Sequence, residues 1–317
     1  MKAISYPRYG GAETLEISDR PDPVAASGDV VVAIAYASVN PLDWKLREGW
    51  MDGLMALEFP VIPGCDGAGT ILGIGDDVAD FSPGDRVFFY SKGTVIHDGT
   101  YAERIAVPAQ HVAHVPEGLD LASAAAVPVA ALTAWQALHD FAAVKAGETV
   151  LITAGAGGVG SYALQLAEAA GATVLGTASE ANHPYMTQLG ADHAIDYRQS
   201  SVSSAVRALV PEGCDVVFDC AGGESYDEGA RSLKPGGRIA TIVRPPNAGE
   251  AAEGGYKAAF IPSMPSGEQL ATIAGLIAAG SIQLPQIAIH SVRDAAAAQD
   301  LSQAGHTRGK LVLKIDF

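Results

Sequence analysis

The stretch TVLITAGAGGVGSYALQLA, residues 149–167, limits what this chain can fold into more than any other. An apolar, β-branched run ends in a glycine cluster, and a run with helical composition follows. Gly155, Gly157 and Gly160 fill a G-x-G-x-x-G pattern, with Ala156, Gly158 and Val159 between them. Alone the pattern is weak; between a strand and a helix it reads as a phosphate-binding turn. Gly155 is expected to permit the tight turn, Gly157 to let a pyrophosphate approach the backbone, and Gly160 to let the helix lie close to the sheet. The helix start offers unpaired N–H groups and a partial positive charge.

Around this turn, strands and helices alternate. Strands are expected at 148–154, 173–179, 214–222 and 236–243, and helices at 159–171, 183–192 and 203–210. That alternation marks an α/β fold with a parallel sheet covered on both faces. Residues before about 118 read differently. Short β-branched runs such as DVVVAIAYASVN (29–40) are broken by Gly and by the turn Pro83-Gly84-Asp85, with one short helix near Trp44–Trp50. The tail shows one helix, 267–280, and a last strand, 309–315. We therefore expect a β-rich domain at 1–122, a Rossmann domain at 123–261 and a tail at 262–317 that returns to the first.

Bulk properties remove several function classes. The 317 residues carry a formal charge of −16, which repels polyanions and argues against nucleic acid as the main ligand. Cys65, Cys214 and Cys220 have no CxxC spacing, so neither a disulfide scaffold nor a thiolate zinc knuckle is available, and a reducing, cytoplasmic compartment is expected. The apolar stretch 121–138 is Ala-rich and interrupted by Ser123, Pro128, Thr133 and Gln136, so it reads as buried protein rather than a membrane span.

The second strand of the α/β region addresses cofactor choice. An NAD-binding unit places Asp or Glu at the end of that strand to hold the ribose 2′-hydroxyl. Here the position falls on Ala178, followed by Ser179. A small neutral end leaves room for a 2′-phosphate. Ser179 can donate to it, His183 can add charge when protonated, and Tyr197 can close the adenosine side; Glu180 argues the other way. The balance points to NADPH.

These features, together with SVNPLDWKLREG (38–49), FPVIPGCDGAGTI (59–71), PGDRVF (83–88) and GTYAE (99–103), resemble the medium-chain dehydrogenase/reductase superfamily over nearly the whole chain. Within it, the chain resembles the zinc-free quinone oxidoreductase branch. The resemblance implies a GroES-like β-barrel beside a Rossmann domain, an active site in the cleft, and a homodimer. Zinc dehydrogenases of the superfamily have Cys where this chain has Asn40, and a His-Glu pair where it has Cys65-Asp66. Catalytic zinc needs about three protein ligands and an open position, so no metal is expected. The resemblance places Asn40 near the nicotinamide, Thr133 at the domain junction, Cys220-Ala221-Gly222 past the nicotinamide ribose and Val243 beside the ring. It also places Phe260 and GHTRGK (305–310), with Arg308 and Lys310, along the cleft and the phosphate side.

The expected function is hydride transfer from NADPH to a small quinone or α,β-unsaturated carbonyl. Catalytic candidates are Asn40 as an amide donor, Lys45 as a cation near the acceptor and Asp43 as an orienting group, with Tyr36 and Tyr90 as weaker candidates. A zinc alcohol dehydrogenase, a non-catalytic NADPH-binding sensor and an enoyl thioester reductase remain open on sequence alone.

Overall fold

The change in sequence pattern past residue 118 becomes a change of architecture. The computed structural model describes residues 1–305 and 307–317. It separates into one unit of Met1–Val129, Met264–Ala279 and Gln286–Phe317, and another of Ala130–Ser263 with Gly280–Pro285. The division thus falls a few residues beyond the expected 122, and a short piece of the tail belongs with the second unit.

The first unit is built on a seven-stranded sheet. Its central strand, Asp29–Ser38, pairs antiparallel with Asp66–Ile74, Arg104–Pro108 and Lys310–Lys314. The β-branched residues of that strand suit a pleated, buried surface. Val30, Val32 and Ile34 pack with Ile71, Val87, Phe89, Ile105 and Val107. Lys310–Lys314 also pairs in parallel with Ile287–Ser291, so the end of the chain completes a sheet begun near its start. The short helix is Pro41–Arg47, three residues ahead of the expected start. The reason is local: Asn40 is extended, Pro41 is preset for a first helical turn, and the Asp43 carboxylate accepts the Asn40 N–H at 2.9 Å.

The second unit is a parallel sheet of six strands. In spatial order they are His193–Ile195, Thr173–Thr177, Thr149–Ile152, Cys214–Asp219, Leu233–Thr241 and Lys257–Phe260. Strand order reverses between Thr149–Ile152 and Cys214–Asp219. At such a reversal an open parallel sheet leaves a crevice beyond its carboxyl ends. Leu151, Leu175, Val217 and Ile239 form the buried sheet face against Val202, Val206 and Tyr226 of two helices, Val202–Leu209 and Glu224–Ser232.

The helix Glu224–Ser232, the helix Ala295–Gln303 and the strands Lys257–Phe260 and Ile287–Ser291 were not expected from sequence. Among the described residues, no helix is long and apolar enough to cross a membrane.

Candidate active site

In the second unit the glycine turn joins Thr149–Ile152 to the helix Gly158–Ala169. Its division of labour differs from the expected one. The left-handed residue is Ala154, with φ +50°, rather than Gly155. A Cβ at Gly155 would stand 2.7 Å from the Met186 sulfur, so that side chain would have to shift. Gly160 does hold the helix close: a Cβ would meet the Ala154 carbonyl oxygen at 2.3 Å. Gly157 is different, since its Cβ would touch nothing nearer than that oxygen, at 3.3 Å. Apart from that oxygen and its own chain neighbours, nothing lies within 4 Å of it. No side chain caps the helix, so the first-turn N–H groups, which have no intrahelical partner, are left for a ligand. The turn therefore fits a pyrophosphate.

Beside it, Thr173–Thr177 ends at buried Ala178 and half-buried Ser179. Ser179 Oγ accepts a hydrogen bond from Asn182 Nδ2 at 3.1 Å, which leaves its own proton to donate. His183 lies 3.4 Å through Nε2 from the Ala178 carbonyl oxygen, turned onto its own chain. Tyr197 is half exposed. Sequence reasoning passed over Arg198, which forks onto Asp196 through Nε and Nη2 at 3.1 and 3.0 Å.

It also passed over Asp219, which is fully buried at the end of its strand. Its carboxylate accepts from Thr153 Oγ at 2.9 Å, Thr241 Oγ at 3.1 Å, and the N–H groups of Ala221 and Gly222. Cys220 N–H donates in turn to Thr153 Oγ at 2.9 Å. One carboxylate thereby ties the loop after the fourth strand to the neighbouring strand ends. Gly222 packs so closely on Val243 that a Cβ would lie 2.5 Å from a valine methyl. Cys220, Ala221 and Val243 are thus brought together. Phe260, at the end of the outer strand, is partly exposed, and Thr133 is buried within the helix Pro128–Trp135.

In the first unit, two of the catalytic candidates, Asn40 and Asp43, lie in a buried ionic knot. Asp66 is inaccessible to solvent, and Lys310 is 5% exposed. Asp66 Oδ2 accepts from Ser38 Oγ at 2.6 Å, Asn40 Nδ2 at 2.9 Å and Lys310 Nζ at 3.3 Å. Its Oδ1 accepts the Val129 N–H at 2.7 Å. Lys310 Nζ also donates to Asn40 Oδ1 at 2.6 Å and to the Val39 carbonyl at 3.2 Å. Both ends of the Asn40 amide are therefore spent inside the protein, and the ammonium of Lys310 is spent with them rather than facing a phosphate. Arg308 is exposed; His306, in the same segment, lies outside the described residues.

Asp43 forms the second part of the knot. Its Oδ2 accepts from the Asn40 N–H and from Tyr101 Oη, each at 2.9 Å. Burial pushes this carboxyl up to about 7, against those hydrogen bonds. Burial also pushes the Cys65 thiol well above its usual range, with Asp43 and Asp66 adding to the effect. Lys45 lies outside the knot, half-buried, its ammonium 5.5 Å above the Trp44 ring; burial lowers its pKa. Tyr90 is buried, and burial raises its pKa, so it holds its proton firmly; Tyr36 is half-buried on the central strand.

Chemically, this set does not fit a zinc ion. The Asn40 oxygen and the Asp66 carboxylate already face an ammonium, and a second cation would have to displace it. Among the described residues, no group of three His, Cys, Asp or Glu could hold a metal.

Residues 26–117 match the alcohol dehydrogenase GroES-like domain family, and residues 189–313 match the zinc-binding dehydrogenase family. The chain is 32% identical over 326 residues to a chloroplast envelope quinone oxidoreductase homolog of Arabidopsis thaliana, covering 99% of this chain and 98% of that one. It belongs to the medium-chain dehydrogenase/reductase superfamily. The quinone oxidoreductase of Coxiella burnetii superposes with a TM-score of 0.89 at 32% identity, covering 100% of this chain and 99% of that one. A mycobacterial protein solved with NADPH superposes with a TM-score of 0.89 at 28% identity, covering 99% and 100%. The quinone oxidoreductase branch of the superfamily fits this chain.

Proposed function

We propose that this protein is a reductase that passes hydride from NADPH to a quinone or an α,β-unsaturated carbonyl, with no catalytic metal. The observation that carries the reading is the closed hydrogen-bond set of Asn40, Asp66 and Lys310. Asn40 and Asp66 stand at positions where, by the resemblance, zinc dehydrogenases of the superfamily keep metal ligands, in a chain whose other unit presents an uncapped glycine turn. The resemblance to a quinone oxidoreductase and to a protein solved with NADPH supports the same assignment.

When bound, the nicotinamide supplies the hydride. The chain's own residues bind and orient. The first-turn amides of Gly158, Val159 and Gly160 and the helix dipole favour the pyrophosphate. Ser179 donates toward the ribose end, and Tyr197 offers a ring face. Asp219 fixes the loop Cys220–Gly222 and, through Thr241, the approach to Val243. With no Lewis acid to polarise a carbonyl, simple ketones are poor acceptors. Quinones and enones are electrophilic already and need only donors for the developing oxyanion. Lys45 is the cation we assign to that role, because Asn40 is engaged and Asp43 is held by Asn40 and Tyr101.

The test is NADPH oxidation by protein dialysed against a chelator, with quinones, alkenals and acyl thioesters offered in turn. Turnover with a quinone or alkenal that chelation leaves intact is the expected result. Activity that returns only on adding zinc, or none across the panel, defeats the proposal.

A further inference from the structure

We infer that Arg198 is the side chain by which this protein distinguishes NADPH from NADH. The inference rests on the nicotinamide reading above and names the determinant within it. The second strand ends without the acidic residue that would hold a 2′-hydroxyl and repel a 2′-phosphate. Permissive space alone does not make a preference; a phosphate also needs a cation.

His183 is poorly placed to supply it, because its Nε2 faces the Ala178 carbonyl oxygen at 3.4 Å. Arg198 is placed by a different route. Asp196 follows the third strand, His193–Ile195, and its side chain is almost fully buried. One of its oxygens, Oδ2, accepts the Glu180 N–H at 3.1 Å, which locks it to the residue after Ser179. The same carboxylate takes the Arg198 N–H at 2.9 Å and its guanidinium through Nε and Nη2. The guanidinium is thus fixed one carboxylate away from the end of the second strand. The fork uses one edge of the group, and the side chain remains 55% exposed. A planar guanidinium anchored on one edge keeps the other for a phosphate. Ser179 and Tyr197 are the chain neighbours of Glu180 and Arg198, which Asp196 ties together.

The pair is a charge-assisted hydrogen bond, and Arg198 is the first cause of the fall in the Asp196 pKa, so the anchor is ionised at working pH. Glu180 acts in the opposite sense. It is exposed, 3.4 Å from Gln199 Nε2, and adds a negative charge near Arg198.

The experiment is a fluorescence titration of the full chain with NADPH and NADH, and a competition titration with 2′,5′-ADP and 5′-AMP. The adenosine fragments report the phosphate subsite without any turnover. R198Q is expected to lower the 2′,5′-ADP preference by roughly tenfold or more, the scale of a hydrogen bond to a charged group, while 5′-AMP affinity holds. E180Q is expected to raise the preference. R198K keeps the charge but not the fork, and is expected to fall between wild type and R198Q. An unchanged preference in R198Q overturns the inference; should R198Q not fold, an unchanged preference in both R198K and E180Q does so. A wild-type protein that does not prefer the 2′-phosphorylated ligands would instead remove the NADPH reading on which this rests.

Discussion

The two units handle their polar groups in opposite ways. In the second, the glycine turn leaves N–H groups at an uncapped helix start and an open face at Gly157. In the first, Asp66 takes four donors, and Lys310 and Asn40 are consumed by one another. An unpaired group at the surface of a turn costs little because water or a ligand can satisfy it. A charge taken out of water costs several kcal/mol unless paired, so a buried cluster must close on itself. The glycine turn is left open to a partner from outside the chain, whereas the cluster around Asp66 is closed on itself.

Breaking the closed cluster should have the largest effect. K310M strands the Asp66 carboxylate in the core, where it has no exposure. Unfolding in urea is expected to show a loss of about 3–5 kcal/mol, the scale for removing one partner of a buried pair. K310M/D66N should recover much of it. A K310M protein as stable as wild type would mean that the cluster is solvated in solution.

The next effect is a pH slope from Asp43. Its folded carboxyl is raised to about 7, above the ordinary value of about 4. Between those values the folded state holds a proton that the unfolded state has lost. Stability from this group is therefore present at the acid end of that window and declines as pH rises through it. D43N should flatten the slope in urea midpoints measured across the window. An unaltered slope would assign the pH response elsewhere.

The smallest stability effect sharpens the comparison from the open side. G157A adds a methyl that meets only one atom, at 3.3 Å, whereas G160A drives one to 2.3 Å from a carbonyl oxygen. G160A is expected to cost roughly 1–3 kcal/mol by overpacking. G157A should leave the unfolding midpoint nearly unchanged yet weaken NADPH titration. Equal stability losses in the two variants would show that Gly157 is packed like its neighbour.

Legibility divided along similar lines. The parallel sheet was readable because strand, glycine turn and helix recur within short stretches whose period is a local property. The helix Ala295–Gln303 carried a readable signal, an alanine run just after Asp294, and was overlooked. The strands Lys257–Phe260 and Ile287–Ser291 carried less, since each is only four or five residues long. Among site residues, the glycines and Ser179 announced themselves by motif. Arg198 did not, although Tyr197 one position earlier was in view, because a surface arginine is unremarkable until its partner Asp196 is seen to be buried and bonded to Glu180.

What the sequence determined alone was the α/β fold, the glycine turn and the departure from the zinc-ligand pattern at Asn40 and Cys65. Each depends on residue type at short spacing, which governs backbone freedom and ligand chemistry directly. What only the tertiary structure decided was the employment of the charges. Lys310 meets Asp66 across 244 positions of chain and Asp219 gathers a loop with strand ends 22 and 66 positions away. No local pattern records such partners, because burial and pairing are properties of the folded sheet and arise only when distant strands are laid side by side.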